Sequence, residues 1–357
     1  MLFYFGFFAK NKSILNKIIK GVLKINHLFP LYKEGQGVCN FNMLFLELRI
    51  IGLMLFLLSS QVGLSQILDI NKPVFSEEPF FNTRFIQQNG IKLITGSRSS
   101  KKVKDIIRTK GLDYYYEFNE RGFLTKQMST YHNQVEKKDT NIIIYYYNEK
   151  NQLTTIRKSD SYGYFSNHFK YDDSNQVINQ TYCRDENYCD YKADFDLAKQ
   201  YTINTDSFSY EKQGELQYKK LYYNKYNKVY REEFFYFNEL GNLREIYSRY
   251  IIGNKKSKVQ YEYDEKGRVG KIIHFANLST NDQESEVFLY DELDNLLEIK
   301  VYQNDKYKTS KQFLYDKKTY LLTAQLIQDI ETEFIQIIQY QYTFYTGDRT
   351  SLTLDKH

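Results

Sequence analysis

One nine-residue phrase recurs nine times in this chain of 357 residues: an aromatic, any residue, an aromatic, Asp or Asn, two residues, Gly or Asn, any residue, and Leu or Val. The copies are YEFNERGFL (Tyr116 to Leu124), YYYNEKNQL (Tyr145 to Leu153), FKYDDSNQV (Phe169 to Val177), FSYEKQGEL (Phe208 to Leu216), LYYNKYNKV (Leu221 to Val229), FYFNELGNL (Phe235 to Leu243), YEYDEKGRV (Tyr261 to Val269), FLYDELDNL (Phe288 to Leu296) and FLYDKKTYL (Phe313 to Leu321). Their seventh positions are Gly122, Asn151, Asn175, Gly214, Asn227, Gly241, Gly267, Asp294 and Thr319, so eight of nine are Gly, Asn or Asp. Those residues tolerate a left-handed backbone. The fourth position is Asp or Asn in eight of nine copies, with Glu211 the exception. A short carboxyl or carboxamide there suits the first residue of a type I turn, whose backbone it caps. A type I turn followed by a left-handed residue is a common hairpin connection with a bulge. Each phrase is therefore expected to be strand, tight turn, strand.

The seventh positions are separated by 29, 24, 39, 13, 14, 26, 27 and 25 residues, near multiples of 13. If one strand with its turn takes that step, the chain advances as a meander of sequential antiparallel neighbours. Composition agrees, since 35 Tyr and 26 Phe with only 3 Pro and no Trp suit pleated surfaces. The fold class expected is all-β: a long antiparallel meander of tandem hairpins, roughly 20 strands, twisted or curled because so many do not lie flat. Leu153 and Ile156, Leu243 and Ile246, Val269 and Ile272, and Leu296 and Ile299 are spaced by three. Either both faces are partly covered or bulges shift the side-chain phase.

The repeated Y-x-Y-D-x-x-G-x-L resembles the YD repeat of the RHS family, found in secreted and surface proteins of bacteria. The resemblance covers roughly Tyr114 to Phe344. It implies a spiralling β-sheet. Large members close that sheet into a shell around a toxin domain, but this chain is much shorter and its copies are degenerate and irregularly spaced, so encapsulation is not implied.

The stretch MLFLELRIIGLMLFLLSSQVGLSQ, Met43 to Gln66, has the layout of a secretory signal: Arg49 near its start, an apolar run from Ile50 to Leu58, and Gly63 and Ser65 as a small pair for cleavage. The run is about half the roughly 20 residues a spanning helix needs. Translation is expected to begin at Met43, with residues 1–42 a mis-called extension, 43–65 the signal peptide cleaved near Ser65, 66–113 an N-terminal β cap and 114–357 the repeat domain. Residues 1–66 hold seven Lys or Arg against two acids, and the remainder carries equal numbers of each, so the formal charge of +5 resides in the leader. A neutral remainder lacks the footprint of a nucleic-acid binder. The protein is expected to be secreted, periplasmic or at the cell surface, and not integral to the membrane once the signal is removed.

Chemistry leaves few marks. Outside the leader, His132, His168, His274 and His357 have no zinc-site spacing, and no G-x-S-x-G, phosphate-cradling loop or H-E-x-x-H is present. His168 beside Asp172 and Asp173 admits a catalytic reading, against the plainer one of a strand histidine next to solvated turn carboxylates. Cys183 and Cys189 are the thiols outside the leader; they are expected either to close a small loop as a disulfide, worth on the order of 2 kcal/mol, or to stay unpaired. Acids clustered from Asp185 to Asp196 offer oxygen ligands to calcium, but without the ordered spacing of a calcium loop they fit a solvated insertion spanning Arg184 to Asp206. FIQQNGIKLITG, Phe85 to Gly96, carries the Asn-Gly signal of a hairpin, and Ser97 to Gly111 is expected as an edge strand or loop. No cofactor, metal site or catalytic residue is indicated. The expected function is a non-enzymatic binding or structural component of the envelope or extracellular space, presenting tyrosines to a protein or glycan. The alternative is a polysaccharide hydrolase or lyase that uses turn carboxylates.

Overall fold

The computed structural model describes residues 68, 81–132, 138–189, 192, 194–280 and 282–345. The expected extension, signal peptide and cleavage position near Ser65 lie outside the described residues. Among the described residues one helix, α1 (Thr83–Gln88), precedes 18 strands. In chain order these are β1 (Ile91–Lys102), β2 (Arg108–Phe118), β3 (Leu124–His132), β4 (Lys138–Tyr147), β5 (Leu153–Asp160), β6 (Gly163–Tyr171), β7 (Val177–Asn187), β8 (Leu197–Gly214) and β9 (Gln217–Tyr223). The second nine are β10 (Val229–Phe237), β11 (Leu243–Tyr250), β12 (Lys256–Tyr263), β13 (Val269–Phe275), β14 (Glu284–Tyr290), β15 (Leu296–Gln303), β16 (Lys306–Tyr315), β17 (Leu322–Asp329) and β18 (Phe334–Phe344).

The turn phrase builds this array. In YEYDEKGRV the Asp264 amide donates to the Arg268 carbonyl and the Gly267 amide donates back to the Asp264 carbonyl, both at 2.9 Å. The Asp264 carboxylate accepts from the Lys266 and Arg268 amides at 3.0 and 2.9 Å. Asn119, Asp172, Asn224, Asn238 and Asp291 accept from the corresponding amides of their own turns. Gly122, Asn151, Asn175, Asn227, Gly241, Gly267 and Asp294 all have φ between 58° and 81°. Gly214 does not: there β8 runs straight into a tight connection to β9, where Gly214 faces Gln217. In the last copy the left-handed residue is Tyr320 rather than Thr319, whose amide and hydroxyl cap Asp316.

A bulge follows eight of the nine turns, the Gly214 copy having its extra residue before the turn, and it settles the spacing of three. Glu262 pairs with Lys271 and Tyr263 with Val269, so Gly270 is the extra residue. The phase shifts by one, and Val269 and Ile272 reach the same buried cluster. Leu243 with Ile246 and Leu296 with Ile299 follow suit.

Every strand pairs antiparallel with its successor, and β18 pairs with β1 along its length, from Ile91 opposite Phe344 to Lys102 opposite Phe334. The sheet expected to be open and curled is thus a closed barrel, because β1, assigned to a cap, fits between β18 and β2 and satisfies both edges. The Asn89-Gly90 signal ends α1 rather than making a hairpin: Asn89 caps the helix and Gly90, with φ at 61°, swings the chain into β1. Odd-numbered strands all run toward one rim, here the far rim. Except for Asn224 to Lys228, the phrase turns sit on the opposite, near rim. That exception, between β9 and β10, accounts for the two half-length spacings of 13 and 14 residues.

Phe85 and Ile86 of α1, with Leu68 and Phe81, pack against Ile94, Tyr116, Ile272, Leu296, Leu322 and Tyr340. Strands β11 to β18, β1 and β2 all contribute to this one cluster, so it lies inside the ring. The inner face is therefore the one carrying Tyr116 and Ile272. Close packing of α1 at the near rim demands a glycine at position 122, since a Cβ there would fall on the Thr83 carbonyl oxygen and within 2.9 Å of the Gln87 nitrogen.

The aromatic at the third position ties six of the repeats to the one before, Tyr223 pairing instead with the Ser209 hydroxyl at 3.0 Å. Tyr147, Tyr171, Tyr210, Tyr263, Tyr290 and Tyr315 donate their hydroxyls to the carbonyls of Leu124, Leu153, Val177, Leu243, Val269 and Leu296, the ninth residues of the preceding copies, at 2.6 to 3.0 Å. Burial pushes the phenols of Tyr147 and Tyr263 up to about 12. Phe237, after the irregular β8 to β9 connection, has no hydroxyl to offer, and the ladder skips there.

Candidate functional site

The loop between β7 and β8 departs most from the repeat. Much of the expected insertion proves to be strand, since Arg184 to Asn187 complete β7 and Leu197 to Asp206 belong to β8. Beyond β7, Cys189 and residues 194–196 turn back over the outer wall. Lys192 reaches the Asp139 carboxylate of β4 at 2.8 Å, and its ammonium holds that carboxyl below the usual carboxylate range. Phe195 lays its ring 4.1 Å from the Arg157 guanidinium of β5 and 5.2 Å from the Tyr164 ring. Asn187 fixes the loop ends by donating to the Cys189 carbonyl at 2.8 Å and accepting from the Asp196 amide at 2.7 Å.

Beneath this roof the wall buries polar side chains. Strand register sets Glu117, Lys126, Ile144, Arg157, Ser166, Cys183 and Thr202 in one row across β2 to β8 on the outer face. Arg157 Nε donates to Asp185 Oδ2 at 2.8 Å, with the Asp185 side chain fully buried, and Arg157 Nη1 donates to the Tyr146 hydroxyl at 3.0 Å. Gln200 Nε2 donates to Asp185 Oδ1 at 2.8 Å. His168 lies between the Thr155 and Ser166 hydroxyls, at 3.1 Å from Nδ1 and 3.0 Å from Nε2, with the Gln200 amide 2.9 Å from Nε2. Desolvation chiefly lowers the His168 pKa, the nearby Asp185 opposing and Arg157 assisting. Each member is thus satisfied, which is the condition for burying a charged pair without a large penalty. His168 is held by this network and not by Asp172 and Asp173, whose turn lies at the near rim.

Both thiols are free. Cys183 is buried in the wall row, 3.9 Å from the Thr202 hydroxyl, while Cys189 lies in the loop. Among the described residues no group of three or more His, Cys, Asp or Glu is placed to hold a metal ion.

Beside the roof opens a groove of about 460 Å³, lined by Glu117, Thr125, Lys126 and Ile144 of the wall and by Cys189, Asp194, Phe195 and Asp196 of the loop. Three carboxylates, one ammonium and an aromatic edge converge there. Such a set donates to and accepts from hydroxyls or peptide groups while an apolar surface excludes water. The turn carboxylates are engaged elsewhere. Burial pushes Asp264 up but is outweighed by the Arg268 amide and guanidinium, and Asp316 is lowered by the Thr319 amide and hydroxyl. Sequence reasoning singled out Cys183, Asp185 and the loop, but not Arg157, Gln200 or Glu117. These come together only through strand register, which no local pattern announces.

No family model matches the chain, and no curated protein matches it. Among solved structures it is similar to a porin-like protein from Bacteroides uniformis at 12% identity and a TM-score of 0.34, over 71% of this chain and 97% of that one. A porin-like protein from Bacteroides vulgatus aligns at 8% identity and a TM-score of 0.28, over 61% and 98%. The Tc holotoxin pore of Photorhabdus luminescens aligns at 12% identity and a TM-score of 0.25, over 65% of this chain and 19% of that one. Likenesses this distant add nothing to what strand pairing already shows.

Proposed function

We propose that this chain is a non-enzymatic, exported barrel that stands in water and binds a protein or glycan, with the groove beside the β7 to β8 loop as the binding position. The wall supports the watery setting. A membrane-spanning barrel needs an outward apolar band, and each Lys or Arg at the bilayer midplane costs about 2 to 4 kcal/mol. Here Arg157, Glu232, Gln260, Lys300 and Gln312 stand outward near the middles of their strands, and Glu232 is paired with Lys219 at 2.8 Å and with Arg249. Inside, the apolar cluster around α1 occupies the place of an aqueous channel.

The observation that carries the binding reading is the groove itself, built where the β7 to β8 loop meets the wall over a fully bonded Arg157 and Asp185 pair. A rigid floor under a polar, aromatic-edged groove is how recognition sites are held in shape. The signal layout at Met43 to Gln66 supports export, and the phrase supports kinship with YD-repeat proteins. Screening the protein against glycans and envelope extracts tests the reading: binding reduced by Phe195→Ala and Lys126→Glu, with the fold intact, is expected, and binding untouched by both contradicts it.

The three groove carboxylates also favour a second reading, a hydrolase or lyase acting on a polysaccharide. It requires release of new reducing or unsaturated ends from a polysaccharide, abolished by Glu117→Gln or Asp194→Asn; binding without cleavage leaves the first reading.

A further inference from the structure

We propose that the far rim of the barrel docks on an anionic lipid surface. Its loops end in apolar residues held out in solvent: Ile106 is 70% exposed, Ile107 60%, Tyr162 81%, Tyr226 70%, Ile251 46% and Ile252 87%. They come from four loops, β1 to β2, β5 to β6, β9 to β10 and β11 to β12, which are spread round the ring rather than gathered on one side. Well-separated single tips on a common rim do not make a pocket for a protein side chain. They do match a flat, fluid partner that each enters on its own, as amphipathic surfaces enter the boundary between headgroups and acyl chains.

Charge selects the lipid. Beside the Tyr226 tip stand Lys225 and Lys228, with no acid from Leu216 to Arg231, while Lys219, Lys220 and Arg231 are engaged along the strands by Glu232, the Phe208 ring and Glu233. Beside Ile251 and Ile252 stand Lys255 and Lys256, with Lys258 two residues further into β12 and no acid from Ile246 to Tyr261, while Arg249 is paired with Glu232. Around Ile106 and Ile107, Lys101, Lys102, Lys104, Arg108 and Lys110 face a single acid, Asp105, which Arg108 neutralises at 2.6 Å. Clustered Lys and Arg beside inserted apolar residues is the arrangement that anionic headgroups attract. These three basic connections share the far rim with acidic ones, since Asp282 and Glu284 lie at the β13 to β14 connection and Asp329, Glu331 and Glu333 at the β17 to β18 connection, so the basic tips are the part of the rim that meets the lipid. On the near rim, exposed Leu240 follows Glu239 and Leu293 lies among Asp291, Glu292 and Asp294, and such tips are repelled by the same surface. The polar wall keeps the barrel standing on the membrane rather than in it, so this docking is independent of what the groove binds.

The chain has no Trp, which makes a local test available. Full-length protein purified from its host, carrying Tyr226→Trp, Ile252→Trp or Leu240→Trp, is mixed with phosphatidylcholine vesicles with and without phosphatidylglycerol. Emission from the two far-rim tryptophans is expected to shift to the blue only with phosphatidylglycerol and to return at high salt, while Leu240→Trp stays unchanged. The triple variant Ile106→Asp, Tyr226→Asp, Ile252→Asp, with an unaltered circular dichroism spectrum, is expected to bind those vesicles at least about tenfold more weakly than the parent protein. No shift at either far-rim position, an equal shift at Leu240→Trp, or an equal shift with neutral vesicles overturns the proposal. So does a lipid-independent shift that grows with protein concentration, which would make the rim a contact between copies.

Discussion

The barrel has two arcs built from the same phrase. From β11 through β18 to β1 and β2 the inner face is apolar, with Ile94, Tyr116, Ile272, Leu296 and Leu322 packed on α1. From β3 to β10 the inner face sets polar and charged side chains among aromatic ones. Gln127 accepts from the Tyr145 hydroxyl at 3.2 Å, and Glu233 accepts from Tyr222 at 2.5 Å, from Ser248 at 3.1 Å and from Arg231. Lys220 lies 4.0 Å from the Phe208 ring centroid, and desolvation chiefly lowers its pKa. In that arc the outer face buries Ile142, Arg157, Ser166, Cys183 and Asp185. Outside the β8 to β10 stretch, the turns, bulges and tyrosine ladder are alike in both arcs. What differs is the cover: α1 inside one, the β7 to β8 loop outside the other. A repeat fixes the backbone, and inserted segments decide which face becomes a core.

The largest way to break this comparison is Asp185→Ala, which leaves the buried Arg157 without its carboxylate. Loss of about 3 to 5 kcal/mol is expected from such an uncompensated charge, read by denaturant unfolding. Replacing both partners by leucine should recover most of it, and a double variant no better than the single one would mean the pair holds the loop rather than balances charge.

Next in size is a contrast between two glycines. Gly122→Val adds a clash with α1 to the left-handed penalty, so it is expected to cost at least about 3 kcal/mol. Gly267→Val has the same backbone conformation with open space around it and should cost only about 1 to 2 kcal/mol. Equal melting shifts would remove α1 from its place against the 119–122 turn.

A smaller effect sharpens the likeness of the arcs. Tyr290→Phe and Tyr171→Phe each remove one rung of the ladder and are expected to cost about 0.5 to 1.5 kcal/mol apiece, in either arc. A much larger loss at one of them would show that the ladder carries more weight there.

The smallest effect is pH dependence from His168. Its folded pKa lies below the ordinary 6.5, so the unfolded chain takes up the proton first and stability falls as pH drops below about 6.5, levelling once the folded histidine also protonates. His168→Gln should flatten this part of the stability profile, and an unchanged slope assigns it to other groups.

Much of this was legible in the sequence. Asp or Asn at position four and Gly or Asn at position seven are local turn chemistry, so the strand and turn grammar follows from residues such as Asp264 and Gly267. The phase shift at Gly270 was visible as a spacing of three, though the sequence left two explanations open. Closure was not legible, because pairing of β1 with β18 joins residues some 250 positions apart. Asn89-Gly90 was misread because a glycine that ends a short helix and one that makes a hairpin satisfy the same backbone requirement. The groove was half legible: an interruption of the repeat marked the loop, but Glu117, Lys126 and Arg157 belong to ordinary strands. Only register placed them beneath it.

The central claim is that the ring is closed, and amide hydrogen exchange across β18 tests it most directly. In a closed barrel β18 is bonded to β17 on one side and β1 on the other, so successive amides from Ile335 to Tyr342 are expected to show protection equal to that of β15, in the middle of the sheet. Alternation of slow and fast exchange along β18, the mark of an unpaired edge, would contradict the account.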